Sequence, residues 1–247
     1  MNYHCIPEDS IPNFEKQLEF FRRHFCDVDE KTLDSFLCKG EWFADKPGLI
    51  ISFDDGLVCQ SAVAKTLEKY GFTGWFMVPS EFVLGEALDE KEFMTRRAIT
   101  CNCDNNERKA LSAEGVTRLV KEGNVICSHT ASHQRMYSGL QAEIVKYEVG
   151  GSKKSLEQNL NLNISHFVWV GGEEETYSEC AGKMIRKSGY DFSFTTNAGL
   201  ITGKTDRFQL GRVNIESYNP LSLICFQLSG LIDLLYLGKR IRVNKLI

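Results

Sequence analysis

The chain has 247 residues, 43% hydrophobic and 25% charged, with a formal net charge of −4 at pH 7. That length and apolar content suit one well-buried core, and a single α/β barrel over residues 1–247 needs no second domain. The negative balance argues against a nucleic-acid protein, which needs a basic surface, and nine irregularly spaced cysteines do not form the framework of a small secreted domain.

Residues 1–6 open with Tyr3-His4, a first short strand ending in a histidine before Pro7 and a polar turn. Residues 11–25 carry Phe14, Leu18, Phe21 and Phe25 at helical steps, an apolar stripe that must cover a sheet. A short helix over 29–38 stops at Gly40. Leu49-Ile50-Ile51-Ser52-Phe53 then reads as a strand buried on both faces, and it ends abruptly in Asp54-Asp55-Gly56. Successive side chains on a strand point to opposite sides, so one carboxylate can ligate a metal while the other handles a proton. The same two residues also suit the positive end of a helix starting near Leu57. Residues 58–70 are helical up to Gly71, and residues 72–78 form the next strand, stopped by Pro79.

Residues 80–108 lose periodicity, which marks an insertion over the rim that could act as a lid. Within it, Cys101-Asn102-Cys103 lacks a second close Cys or His pair to complete a tetrahedral set and is not read as a metal clip. Ser112 caps a helix over 113–122, and a strand over 125–128 leads into His129-Thr130-Ala131-Ser132-His133. Imidazoles four residues apart fall on one side of a helical turn and can grip one ion, although such pairs also cap turns and fill cores. Residues 138–159 are helical with an interruption at Gly150-Gly151, and residues 167–170 are a strand. The glutamates 173–175 begin the following helix rather than bind metal. Residues 190–195 and 208–213 supply the last strands. An apolar helix over 219–237 precedes Lys239, Arg240, Arg242 and Lys245. It is read as a last barrel helix or as an interfacial helix whose basic end meets anionic lipid.

Ser52-Phe53-Asp54-Asp55-Gly56 and His129-Thr130-Ala131-Ser132-His133, in this order and spacing, resemble the first two motifs of the polysaccharide deacetylase family, also called the NodB-homology or carbohydrate esterase 4 family. The resemblance runs from about Tyr3 to about Arg212. It implies a distorted (β/α) barrel of about seven parallel strands that removes acetyl groups from N-acetylated sugars with a divalent metal. Zinc is the expected ion, with cobalt, nickel, manganese or iron(II) as alternatives. By that likeness Asp55, His129 and His133 hold the metal and Asp54 is the general base. Tyr3-His4 is similar to an N-terminal Tyr-His branch of the family that acts on poly-N-acetylglucosamine, which makes His4 the general acid.

Two family features are missing from their usual places. No histidine follows His166, so the late Leu-x-His motif is absent. Val168-Trp169-Val170-Gly171 stands where an Arg-x-Pro-Tyr-like motif would supply an arginine to orient the base, which leaves the tuning of Asp54 open. Trp169 is a candidate apolar wall for a sugar ring, with a core role as its alternative. The odd cysteine count and the lack of a signal peptide favour a reducing cytoplasm, with peripheral membrane contact if the substrate is a lipid-linked precursor. Two further readings stand beside the deacetylase: a carbohydrate-binding protein of the same fold with impaired catalysis, and a non-haem iron oxygenase, whose facial set is also two histidines and a carboxylate.

Overall fold

The computed structural model describes residues 1–87, 89–102 and 108–247. In chain order its strands are β1 (Asn2–Tyr3), β2 (Cys26–Asp27), β3 (Gly48–Leu49), β4 (Ile51–Phe53), β5 (Gly74–Val78), β6 (Val125–Ser128), β7 (His166–Val168) and β8 (Phe192–Phe194). The main helices are α1 (Ile11–His24), α2 (Glu30–Lys39), α3 (Val63–Tyr70), α4 (Ser80–Val83), α5 (Glu90–Arg97), α6 (Ala113–Lys121), α7 (Ala142–Lys146), α8 (Ser152–Leu160), α9 (Glu179–Lys187), α10 (Leu221–Leu228) and α11 (Leu231–Val243). Asp29 caps α2 by accepting from the Thr32 N–H, and Ser112 caps α6 by accepting from Gly115.

Six strands form one parallel sheet in the order β1-β4-β5-β6-β7-β8, and β2 pairs with β3 apart from it. Alternation along β5 sends Phe76 and Val78 into the core beneath the helices and Trp75 and Met77 into a second core on the opposite face. Both faces are therefore covered, which explains why these strands read as continuous apolar runs.

The seventh strand is replaced by single bridges. Leu210 bridges to Phe194 on β8 and Asn214 to Asn2 on β1, both parallel. The segment changes partners within four residues, too soon for a ladder, yet it carries the chain from the last strand back to the first. β1 and its His4 are thereby held beside β4 and the Asp-Asp step.

Three local expectations change. Gly150-Gly151 does not interrupt the helix; residues Tyr147–Gly151 form a π-helical turn that joins α7 to α8 without a gap. The glutamates at 173–175 lie in and beside a 3₁₀ turn, Glu174–Thr176, while α9 starts later with Ser178 as its cap. Residues 80–108 contain α4 and α5, and the parts of the expected lid at 88 and 103–107 lie outside the described residues.

Where one apolar helix over 219–237 is expected, the chain forms α10 and α11, broken at Gly230 in a left-handed conformation with φ 81°. Among the described residues no single helix is long and apolar enough to cross a membrane, and this pair is bent by 51°. Leu234, Leu235 and Leu237 are exposed on α11. Its basic end is tied to the barrel: Lys239 donates to the Gly172 carbonyl and Arg242 pairs with Glu174 at 2.9 Å.

Candidate active site

β4 and β6, with β5 between them, end at one rim, around a cleft of about 570 Å³ at the carboxyl ends of the strands. Asp54 and Asp55 leave β4 in different directions because Asp55 has φ 77° and Gly56 follows at φ 63°. A Cβ on Gly56 would stand 2.9 Å from Val83, so a side chain there would be both strained and crowded. Neither carboxylate caps the following 3₁₀ turn. Gln60 braces that region, donating to the carbonyls of His4 (2.9 Å) and Asp54 (2.5 Å).

The histidine pair is not on a helical turn. Thr130 and His133 adopt left-handed conformations, φ 67° and 56°, and the loop is held by bonds to its neighbours. Ser80 and Glu81 donate their N–H groups to Thr130 and Ala131, and Ala131 donates to Glu148. The buried Glu148 carboxylate also accepts from the Ser132 N–H and hydroxyl at 2.8 and 2.6 Å. Glu148 lies in the π-helical turn. Non-glycine residues in this region of backbone space cost of order 1–3 kcal/mol each; of the five among the described residues, Asp55, Ala98, Thr130 and His133 all line or adjoin the cleft.

The result is an ordered set of donor atoms. His129 Nδ1 lies 3.0 Å from the Val168 carbonyl and His133 Nδ1 2.9 Å from that of Arg97. A carbonyl only accepts, so each Nδ1 carries a hydrogen and, in the neutral ring, each Nε2 presents a lone pair. Nε2 of His133 is 3.1 Å and Nε2 of His129 3.9 Å from Oδ1 of Asp55. Such outer anchoring is the usual support of metal-ligating imidazoles, and Asp55, His129 and His133 form a set that could hold one ion. Burial lowers the His129 pKa to about 4, so its ring is neutral and able to ligate. Burial works to raise Asp55, but His133 in its protonated form, hydrogen-bonded to the carboxylate, outweighs it and holds the carboxyl below its ordinary range.

Asp54 is gripped by a residue the sequence reading did not single out for this role. Arg212, 3% exposed, donates from Nη1 to Oδ1 at 2.7 Å and from Nη2 to Oδ2 at 3.0 Å, and Asn2 adds a third bond to Oδ2 at 3.0 Å. Burial alone would raise the Asp54 pKa; the charge and hydrogen bonds of Arg212 pull it well below the usual carboxylate range. The cation absent from residues 168–171 is thus supplied from the closing segment. Its only sequence signal is an arginine within an otherwise strand-like run.

His4 lines the cleft, with Nδ1 3.2 Å from Oε1 of Glu216. Burial works to lower its pKa, but the Glu216 hydrogen bond and the charges of Asp54 and Asp55 raise it to about 9. Trp169 requires a correction. It is 1% exposed, packs on Phe167 and Tyr177, and donates from its indole to Ser193, so it is a core residue and cannot face a sugar. The aromatic residues that line the cleft are Tyr218 and Tyr236. His166 is also core, stacked on Phe192 at the opposite end of its strand from the cleft, and burial lowers its pKa to about 3.

Fold and site together define a parallel α/β barrel with a cluster of carboxylates and imidazoles at its rim. The family model described as polysaccharide deacetylase matches residues 44–193, and the chain belongs to that family. No curated protein matches it in sequence. Among solved structures, the Streptococcus pyogenes deacetylase PplD, in complex with acetate, is similar at TM-score 0.71 and 18% identity, over 91% of this chain and 95% of that one. The de-N-acetylase from Aggregatibacter actinomycetemcomitans is similar at TM-score 0.67 and 16% identity, over 92% and 98%. IcaB from Ammonifex degensii is similar at 0.67 and 18%, over 91% and 94%. At these identities the likeness speaks to the fold, which is the distorted barrel of the family.

Proposed function

We propose that this protein is a metal-dependent hydrolase that removes the acetyl group from an N-acetylated sugar or polysaccharide precursor. The observation that carries the reading is the pairing of a buried, arginine-clamped carboxylate with a neighbouring Asp-His-His set whose ring nitrogens converge. A divalent ion, zinc in the first instance, would be held by Asp55, His129 and His133 and would supply a Lewis acid for the acetyl carbonyl and an acidified water.

The chain's own groups do the remaining work. Asp54 accepts the proton of the attacking water, and the Arg212 fork fixes its carboxylate plane while leaving lone pairs unused. An amine is a poor leaving group unless its nitrogen is protonated as the C–N bond breaks. His4, kept charged beside Glu216, donates that proton. Tyr218 and Tyr236, which line the cleft, take the place of Trp169 as the aromatic side chains within reach of a sugar.

The impaired, binding-only reading rested on weakened motifs, the missing arginine among them, and the Arg212 clamp on Asp54 favours the hydrolase over it. The oxygenase reading leaves the clamped Asp54 without a task. Acetate release from N-acetylglucosamine oligomers with added zinc tests the proposal. Replacing His4 with Ala is expected to lower kcat by roughly 10²–10⁴-fold, the usual weight of a general acid, with bound metal unchanged. Undiminished turnover would remove His4 from the mechanism.

A further inference from the structure

Cys5, Cys59 and Cys101 come from three separate segments: the loop after β1, the 3₁₀ turn after β4 (Val58–Ala62) and the loop after α5. Their sulfurs meet. Cys5 Sγ lies 3.6 Å from Cys59 Sγ and 3.7 Å from Cys101 Sγ, and all three are within 4.8 Å of one another. A disulfide would bring two sulfurs to about 2.05 Å. A tetrahedral zinc with bonds of about 2.3 Å would set its sulfur ligands roughly 3.8 Å apart, close to both spacings.

The surroundings fit thiolates that bind metal. Leu57, Phe82, Met94, Ile99 and Ala110 form an apolar shell around the sulfurs. An apolar shell is a usual means of supporting such ligands. Cys5 is buried while Cys59 and Cys101 are half-buried, so an ion has a path in.

We propose that Cys5, Cys59 and Cys101 form a second metal site, distinct from the Asp-His-His set, that takes a thiophilic divalent ion of the zinc class. Each thiol releases its proton on binding, and a tetrahedral ion keeps one position for a further donor. The ion ties together three pieces of the cleft wall. Cys5 follows His4, Cys59 precedes the Gln60 that braces the His4 and Asp54 carbonyls, and Cys101 lies in the loop after α5, whose last residue, Arg97, anchors His133 through its carbonyl. The site is therefore structural, and its existence does not depend on the deacetylase reading.

Cobalt(II) titration of the reduced full-length protein tests this directly, because the Asp-His-His set contains no sulfur. The expected result is an intense thiolate-to-cobalt charge-transfer band in the near ultraviolet, lost in Cys59→Ser and in Cys101→Ser. No band in the cobalt-saturated wild type, or a band unchanged in both variants, overturns the proposal. If the serine variants fail to fold, X-ray absorption of the zinc-loaded wild type decides: a sulfur shell at about 2.3 Å supports the site, and oxygen and nitrogen ligands alone overturn it.

Discussion

Replacing Asp54 with Asn is expected to abolish acetate release almost completely, a loss of roughly 10²–10⁴-fold in kcat for the base alone, while metal stays bound. Asp54 is not among the proposed ligands; its oxygens are occupied by Arg212 and Asn2. An amide has one acceptor oxygen where the carboxylate has two, so its NH₂ must face a donor from Arg212. The variant therefore also loses stability, up to the ~3–5 kcal/mol typical when one partner of a buried pair is removed. Acetate release, metal analysis and urea unfolding of the same sample separate these effects. Wild-type turnover in a folded Asp54→Asn protein would end its role as base.

Substitution of Arg212 by Met is the second change with a large expected effect. It leaves the Asp54 carboxylate buried with only the Asn2 amide and no cation in contact, again at a cost of about 3–5 kcal/mol. The sign of the accompanying pH effect follows from the balance at Asp54. Burial raises its pKa and Arg212 lowers it, so without the guanidinium burial prevails and the carboxyl holds its proton to higher pH. The acid limb of the kcat/KM profile is expected to move upward, with kcat falling more than KM changes. Arg212→Lys should restore part of the stability but little of the rate, because an ammonium is a point charge and cannot fork onto both oxygens. An unmoved acid limb in Arg212→Met would assign Arg212 to stability alone.

Much of this was legible in the sequence because it is local. An apolar run ending in Asp-Asp-Gly marks a strand and its polar exit within eight residues, and the His129–His133 spacing lies within five. The Asp54–Arg212 clamp joins positions 158 apart, and no periodicity in either segment announces the other. The cysteine cluster escaped for the same reason. Cys5 and Cys59 are distant from Cys101 in the chain and adjacent to it in the fold, so Cys101-Asn102-Cys103 gave no sign of them. Trp169 could be read either as a wall of the cleft or as core because alternation says that a side chain faces one side of a strand without saying which side is the cleft; the structure places it in the core. The helical reading of the histidine pair failed because left-handed backbone at Thr130 and His133, braced by Glu148, replaces the helical ladder.

Asp55, His129 and His133 are proposed to converge on one ion beside Asp54. Anomalous scattering at the zinc edge from zinc-soaked crystals tests this most directly. A peak is expected within about 2.0–2.2 Å of the Asp55 carboxylate and of Nε2 of both histidines, with Asp54 still clamped by Arg212. Zinc absent from that position, with the imidazoles turned away from Asp55, would contradict the proposal.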